Sequence, residues 1–293
     1  MRDHIALFYF SGTGNTRIIA NLIQKELQVK SDVVELIVIE ELIDLKKEVD
    51  VNQYDMIGIG YPIYGFREPK IIQKFIQMLP KVDSKNVFVF KTAADFISIN
   101  DNASSYLIRK LSKKGYNVFY DRIICMGCNF LIKYDDELVK QLYKSALNKV
   151  EILCEEVLNG KKRVNQIGFI FKIIMDGIHW FEDSCFAPIV GRSLKVSKKC
   201  TQCGKCIKNC PSKNIYTQNN KIRFRFNCFL CMRCIYACPN NAIDSRGFSF
   251  IILKKGYLIE QIINNSDING HYITEHTKGF MKHFQKYLED NTL

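Results

Sequence analysis

Two hydrophobic periods alternate along the first 160 residues. Mostly apolar runs at 5–10, 33–39, 56–60, 87–90 and 118–125 read as strands buried on both faces. Between them, Ile18, Ile19, Leu22, Ile23 and Leu27 keep a helical period, as do Ile71, Ile72, Phe75, Ile76 and Leu79. Leu138, Leu142, Leu147, Val150, Cys154, Val157 and Leu158 mark a long last helix. The alternation predicts an α/β fold with a doubly wound, parallel, five-stranded sheet. Ligands of such sheets bind beyond the carboxyl ends of the strands.

The pattern breaks at Asn159-Gly160-Lys161-Lys162-Arg163, a helix stop followed by a charge run. This divides the chain into a first domain at 1–160, a connector at 161–194, a cysteine-rich domain at 195–246 and an extension at 247–293. Phe169, Phe171, Ile173, Ile174, Ile178, Trp180 and Phe181 predict an apolar connecting helix. Acids interrupt it, which argues against a membrane-surface helix. Ile222, Phe224 and Phe226 alternate with bases, as in a half-exposed strand. In the extension, 248–253 reads as a strand and 278–288 as a helix.

Composition narrows the class. Of 293 residues, 47% are hydrophobic and 25% charged, enough for a sizeable core and too apolar for disorder. No secretory signal and no apolar span of membrane length are visible, so the twelve cysteines are expected reduced in a cytoplasmic protein. The net charge of +12 is unevenly placed: residues 160–255 carry +14 and the rest about −2. A basic field can mean nucleic acid, an anionic membrane face or an acidic protein partner, and it can also offset negative cofactors in the same domain.

Those cysteines are ordered. Cys200, Cys203, Cys206, Cys210 and Pro211 recur 28 residues later as Cys228, Cys231, Cys234, Cys238 and Pro239. Structural zinc sites pair two Cys-x2-Cys knuckles, and a third cysteine at the same step has no role in one tetrahedral site. Cys-x2-Cys-x2-Cys-x3-Cys-Pro resembles the ligand run of bacterial two-[4Fe-4S] ferredoxins. The resemblance implies a small α+β ferredoxin-like domain with crossed ligand sets. Cys200, Cys203, Cys206 and Cys238 would hold one cluster; Cys228, Cys231, Cys234 and Cys210 would hold the second. Gly204 follows the second cysteine of the first run, and Met232 takes that place in the second, where a larger side chain shields the cluster. The segment 196–246 carries +9, which two clusters at about −2 each offset only in part.

Ser11-Gly12-Thr13-Gly14-Asn15-Thr16 follows the first strand and opens the first helix. Its glycines allow close backbone approach, its hydroxyls can donate, and the helix N-terminus adds partial positive charge. It lacks the lysine of a Walker loop and the third glycine of a dinucleotide fingerprint, and suits a terminal monoester phosphate. The loop resembles the Thr/Ser-x-Thr-Gly-Asn-Thr phosphate loop of flavodoxins. That resemblance implies a flavodoxin-like fold over 1–160 holding FMN. Pro62, Tyr64 and Gly65 of the third-strand loop and Thr92 of the fourth would flank the flavin. Cys125 and Cys128, with no second knuckle nearby, read as structural, as do Cys154 and Cys185.

Taken together, the chain resembles the fused flavodoxin–ferredoxin proteins of anaerobes. The implied function is electron transfer between FMN, two [4Fe-4S] clusters and an acidic redox protein docking on the basic half. No nucleic acid and no membrane span are expected. The alternative is an FMN-dependent reductase of a small organic acceptor, fed by its own ferredoxin domain.

Overall fold

The computed structural model describes residues 4–30, 33–165, 168–254 and 256–290. The first part runs β1 (His4–Tyr9), α1 (Asn15–Lys30), β2 (Val33–Val38), α2 (Ile39–Leu45), β3 (Met56–Pro62), α3 (Lys70–Met78), β4 (Lys85–Ala93), α4 (Ser105–Ser112), β5 (Tyr116–Cys125) and α5 (Asp136–Leu158). The strands form one sheet in the order β2-β1-β3-β4-β5, parallel at every pairing. All five strands fall where the apolar runs placed them. Ile19, Ile23 and Leu27 of α1 pack with Leu138, Leu142 and Val150 of α5 on one face. Ile39 of α2, Ile72 and Phe75 of α3, and Leu107 and Leu111 of α4 cover the other. Asp135 caps α5 by accepting from the Glu137 amide at 2.9 Å. The order reverses beside β1, so the β1–α1 loop lies at the switch point where doubly wound sheets bind ligands.

The connector forms α6 (Phe169–Phe181), a π turn over Glu182–Phe186 and α7 (Ala187–Ser193). Pro188 has no amide to donate back to the preceding turn, a local cause for the helix to widen there. Then come β6 (Leu194–Val196), α8 (Lys205–Lys208), β7 (Ile215–Gln218), β8 (Lys221–Phe224), α9 (Arg233–Tyr236) and β9 (Ile243–Ser245). The pairs β6–β9 and β7–β8 are antiparallel.

The 28-residue repeat is also a repeat of backbone geometry. Left-handed residues fall in matched pairs: Gln202 with Leu230, Gly204 with Met232, and Lys213 with Asn241. Amide-to-sulfur bonds are matched as well. Gln202 and Leu230 donate to Cys200 and Cys228 at 3.3 and 3.4 Å. Asn214 and Ala242 donate to Cys210 and Cys238, each at 3.3 Å.

The extension departs from its sequence reading. Residues 249–251 form a 3-10 turn rather than a strand, because their backbone bonds close locally: Ile251 donates to Phe248 and Ile252 to Ser249, both at 3.2 Å. After α10 (Ile259–Asn264), the helix expected at 278–288 is split into a 3-10 turn (Gly279–Lys282) and a short α11 (His283–Glu289). The extension folds back over α5. Gln141 donates to the Ile273 carbonyl at 2.9 Å, and the Glu137 carboxylate accepts from His271 at 3.0 Å. Tyr287, Phe284 and Ile273 enter the core.

Beneath the β4 end lies a buried ion pair. Lys91 Nζ donates to Asp121 Oδ2 and to Ser104 Oγ, each at 2.9 Å, and both charged side chains are almost wholly enclosed. Removing one partner strands a charge in the core, so Lys91→Met should cost about 3–5 kcal/mol in chemical denaturation. Lys91→Met with Asp121→Leu should recover most of that loss. Equal loss in the single and double variants would show that the pair is not what holds this corner.

Candidate functional site

A cavity of about 470 Å3 opens at the carboxyl ends of β1, β3, β4 and β5. Ligand pockets generally span about 300–1,000 Å3. Of the sequence-predicted residues, Ser11, Gly12, Thr13, Asn15, Thr16, Pro62, Tyr64, Gly65 and Thr92 line it. Gly14, with φ +112, lies on the other side of the loop, facing a second polar cleft. Among the described residues no Lys or Arg lines the cavity; the charged residues that line it are Asp95 and Glu182.

The phosphate loop is tied to its surroundings by its own side chains. Thr16 and Thr92 share a hydroxyl bond of 2.8 Å, which joins the first and fourth strand ends. Ser11 Oγ accepts from the Gly14 amide at 3.2 Å. Thr13 Oγ1 accepts from Asn129 Nδ2 at 2.5 Å. Asn15 donates to the Gly127 carbonyl at 2.9 Å and accepts from the Tyr257 hydroxyl at 2.5 Å. Asn15 thus links three segments.

The two tyrosines of the third-strand loop part company. Tyr61 is a core residue whose hydroxyl donates to the Ala103 carbonyl at 3.1 Å. Tyr64 lines the cavity, its ring centroid 6.4 Å from that of Phe229, and its buried hydroxyl has no hydrogen-bond partner among the described residues. Gly65 is left-handed at φ +53, and a Cβ there would meet Glu182 Oε2 at 1.9 Å. Burial, then the charge of Asp183, pushes the Glu182 carboxyl up to about 7.

Several lining residues escaped the sequence reading. The fifth-strand loop supplies Gly127, Cys128, Asn129 and Phe130; the connector supplies Ile178, Phe181, Glu182 and Phe186. These lie far apart in sequence and carry no motif. Phe96 of the fourth-strand loop turns away, packing on Tyr287 at 5.0 Å and on His283 at 5.6 Å. His283 in turn meets the Asp95 carboxylate at 2.9 Å. Cys125 is buried at the end of β5, and Cys128 donates to the Phe130 carbonyl at 3.0 Å. Burial pushes both thiols up, so neither is poised as a thiolate.

The repeat encloses two voids. One is lined by Cys200, Cys203, Cys206 and Cys238. The other is lined by Cys210, Cys228, Cys231 and Cys234, together with Met232 and Ile235. The second is the deeper: Cys210 and Cys231 are buried, whereas Cys203 in the first is exposed. Burial pushes the Cys231 thiol up to about 11 and the Cys228 thiol up to about 12. Metal-free, these groups are neutral, and loading iron must displace their protons. Among the described residues, no three Cys, His, Asp or Glu side chains converge on a site for one metal ion. Four thiols around a void fit a cluster better than a single ion.

The deeper void abuts the phosphate loop. A Cβ on Gly12 would meet the Cys231 carbonyl at 2.7 Å and Tyr64 Oη at 2.2 Å. Phe229 packs edge-on against Phe10 at 5.8 Å. Arg233 donates to the carbonyls of Gly12 (3.1 Å) and Ser11 (2.5 Å) and to Glu40 Oε2 (3.0 Å). Leu230 lines both the deeper void and the large cavity.

The large cavity suits FMN on two counts. A hydroxyl- and amide-lined end meets a helix N-terminus without a cation, and apolar walls lie opposite. The Tyr64 ring lines one wall, its hydroxyl buried against Gly12.

A family model described as a flavodoxin domain matches residues 6–184, and one described as a 4Fe-4S dicluster domain matches residues 193–242. No curated protein matches the chain. Among solved structures it is similar to oxidised flavodoxin 1 from Bacillus cereus, at 19% identity over 53% of this chain and 97% of that one, TM-score 0.38. It is also similar to flavodoxin 2 from Bacillus cereus, at 22% over 53% and 98%, TM-score 0.39. The Streptococcus pneumonia TIGR4 flavodoxin follows at 15% over 53% and 97%, TM-score 0.37. The first domain implies FMN and the second 4Fe-4S clusters, which makes this an electron-transfer flavo-iron-sulfur protein. The chain belongs to the flavodoxin family and continues into a 4Fe-4S dicluster domain, as a fused flavodoxin–ferredoxin protein.

Proposed function

We propose that the protein passes electrons between FMN in the large cavity, two 4Fe-4S clusters in the cysteine-lined voids, and a redox partner protein. The observation that carries this is the shared wall: Leu230 faces the cavity and the deeper void at once, and Cys231 rests on Gly12. When bound, FMN exchanges electrons singly or in pairs while each cluster exchanges one, so the fusion joins two-electron to one-electron chemistry.

Ser11, Gly12, Thr13, Asn15 and Thr16 hold the phosphate through amides, hydroxyls and the N-terminus of α1, while Gly14, its amide donating to Ser11 Oγ, shapes the turn. Pro62, Tyr64, Gly65 and Thr92 flank the ring with Cys128 and Phe181. Cys210, Cys228, Cys231 and Cys234 ligate the inner cluster; Cys200, Cys203, Cys206 and Cys238 ligate the outer one. Beside exposed Cys203, the side chains of Lys198, Lys199, Lys205 and Lys208 are exposed, and they attract an acidic redox partner. Two other bases are already used internally: Arg233 on Glu40 and Lys213 on Asp44.

Anaerobically purified protein should contain about eight iron and about one FMN per chain. Cys238→Ala should damage the outer cluster and spare the inner one in electron paramagnetic resonance of the reduced protein, and Cys210→Ala should do the reverse. Damage confined to each mutated residue's own repeat half would refute crossed ligation.

Thr13→Ala and Asn15→Ala should weaken FMN retention about tenfold or more, measured by flavin titration, with iron content unchanged. Wild-type affinity in both would sink the phosphate-loop assignment.

Glu182 makes the pH prediction. Its carboxyl rises from 4.5 to about 7 on folding, so the native state binds more protons over that interval. Its contribution to stability is therefore full below the unfolded value and is lost as pH rises through 7. Glu182→Gln should remove this loss, becoming more stable than wild type by about 1–2 kcal/mol at alkaline pH. A thermal-melt difference independent of pH would show that the carboxyl does not titrate there.

A further inference from the structure

The connector brings more than apolar side chains to the large cavity. Its π turn sets one carboxyl against the third-strand loop: Glu182 lines the cavity, and a Cβ on Gly65 would collide with its Oε2. The groups packed around this turn are paired among themselves. Asp183 meets Lys70 at 3.1 Å, and Asp176 of α6 accepts from Arg67 Nη1 at 3.2 Å and from Asn102 Nδ2 at 3.4 Å. Arg67 also pairs with the buried Glu68 at 2.8 Å. His179, one turn before Glu182, is buried, and desolvation, then the charge of Arg67, pushes its pKa down. The Glu182 carboxyl stands outside these pairs. Among the described residues it makes no hydrogen bond or ion pair, and the charge it feels most is the like charge of Asp183.

The other titratable groups on the cavity wall are already engaged. Asp95 accepts from the Phe96 amide at 2.7 Å, and its two oxygens meet His283 Nε2 at 3.0 and 2.9 Å. Cys128 donates to the Phe130 carbonyl at 3.0 Å, and the Tyr64 hydroxyl is buried against Gly12. Two acids of one cavity therefore sit in opposite environments, one fixed by partners and one without any, the arrangement that separates a resident carboxylate from a proton-carrying acid. Burial holds the proton on Glu182 up to about 7, and its side chain keeps partial access to water.

We propose that Glu182 is the proton donor and acceptor of the flavin site, an inference that rests on the cavity holding FMN. The step balances one electron with one proton. As an electron arrives from the inner cluster, the Glu182 carboxyl O–H bond breaks and an N–H bond forms on the flavin ring. The cluster is oxidised, the flavin is reduced, and solvent water returns a proton to the carboxylate. On flavin reoxidation the carboxylate takes the proton back.

The test uses anaerobic full-length protein loaded with iron and flavin. The flavin midpoint potential is measured by spectroelectrochemistry on both sides of neutrality, and flavin bleaching by dithionite is followed in stopped flow. The wild-type potential should change slope near pH 7, and the bleaching rate should fall as pH rises through 7, where the carboxyl loses its proton. Glu182→Gln should keep its FMN, lose the change of slope and bleach about a hundredfold more slowly below neutrality. Glu182→Asp, which keeps an acid, should restore part of both. A Glu182→Gln variant that loses its FMN, or that keeps both its FMN and the wild-type rate, would overturn this proposal alone. Wild-type protein that takes up no FMN would overturn it together with the flavin assignment.

Discussion

Gly12 has room for a hydrogen and nothing larger. The carbonyl of Cys231 and the hydroxyl of Tyr64 together crowd the place where a Cβ would have to sit. This close approach brings the ferredoxin backbone against the flavodoxin phosphate loop. Arg233, in the turn after Cys231, binds the loop carbonyls of Ser11 and Gly12 and the carboxylate of Glu40 at the start of α2. One guanidinium therefore crosslinks the loop, the next helix and the cysteine repeat. Its charge is neutralised by Glu40, so the junction buries little uncompensated charge. Anything that pushed the two backbones apart would widen the gap between cavity and deeper void, across which the proposed electron transfer would run.

The symmetry of the repeat stops at its environment. Both halves share the same left-handed residues and amide-to-sulfur bonds, but one faces solvent and the other faces the flavodoxin domain. Met232 occupies the position of Gly204 with φ 60 and is buried against the deeper void. A left-handed methionine costs more than a left-handed glycine, and here the side chain fills space that water would otherwise take. A dry shell disfavours added negative charge on a cluster, and a wet one tolerates it. Clusters held in the two voids as proposed would have the same ligands and would differ in reduction properties through what surrounds them.

The local parts were legible in the sequence. Apolar runs placed the five strands because a parallel sheet covered on both faces admits few polar residues. The phosphate loop and the cysteine runs are contiguous motifs, readable by their spacing alone. Less legible were the contacts that assemble them. Phe181, Glu182 and Phe186 reach the cavity from the connector, and Tyr257 reaches Asn15 from 242 residues away in sequence. No periodicity encodes such encounters. The inward turn of Asp176, Glu182 and Asp183 was hidden for the same reason: sequence gives the spacing of the acids, and only the fold says which way they point.

The extension clarifies what kind of assembly this is. Tyr257 donates to Asn15 and to the Gly127 carbonyl, Tyr287 accepts from the Cys125 amide, and His283 meets Asp95. Each contact supports a loop that lines the large cavity. The fourth-strand loop lacks an inward-facing aromatic because Phe96 is drawn outward to anchor Tyr287 and His283. The apolar wall that this loop does not supply comes instead from Phe181 and Phe186 of the connector. The cavity is therefore built by four stretches of chain: the sheet sets its floor, the connector its apolar wall, the repeat its inner neighbour and the extension its bracing. In a free-standing flavodoxin domain those functions must come from the domain's own loops; here they are distributed along the chain, which ties the integrity of the flavin site to the docking of the iron–sulfur half.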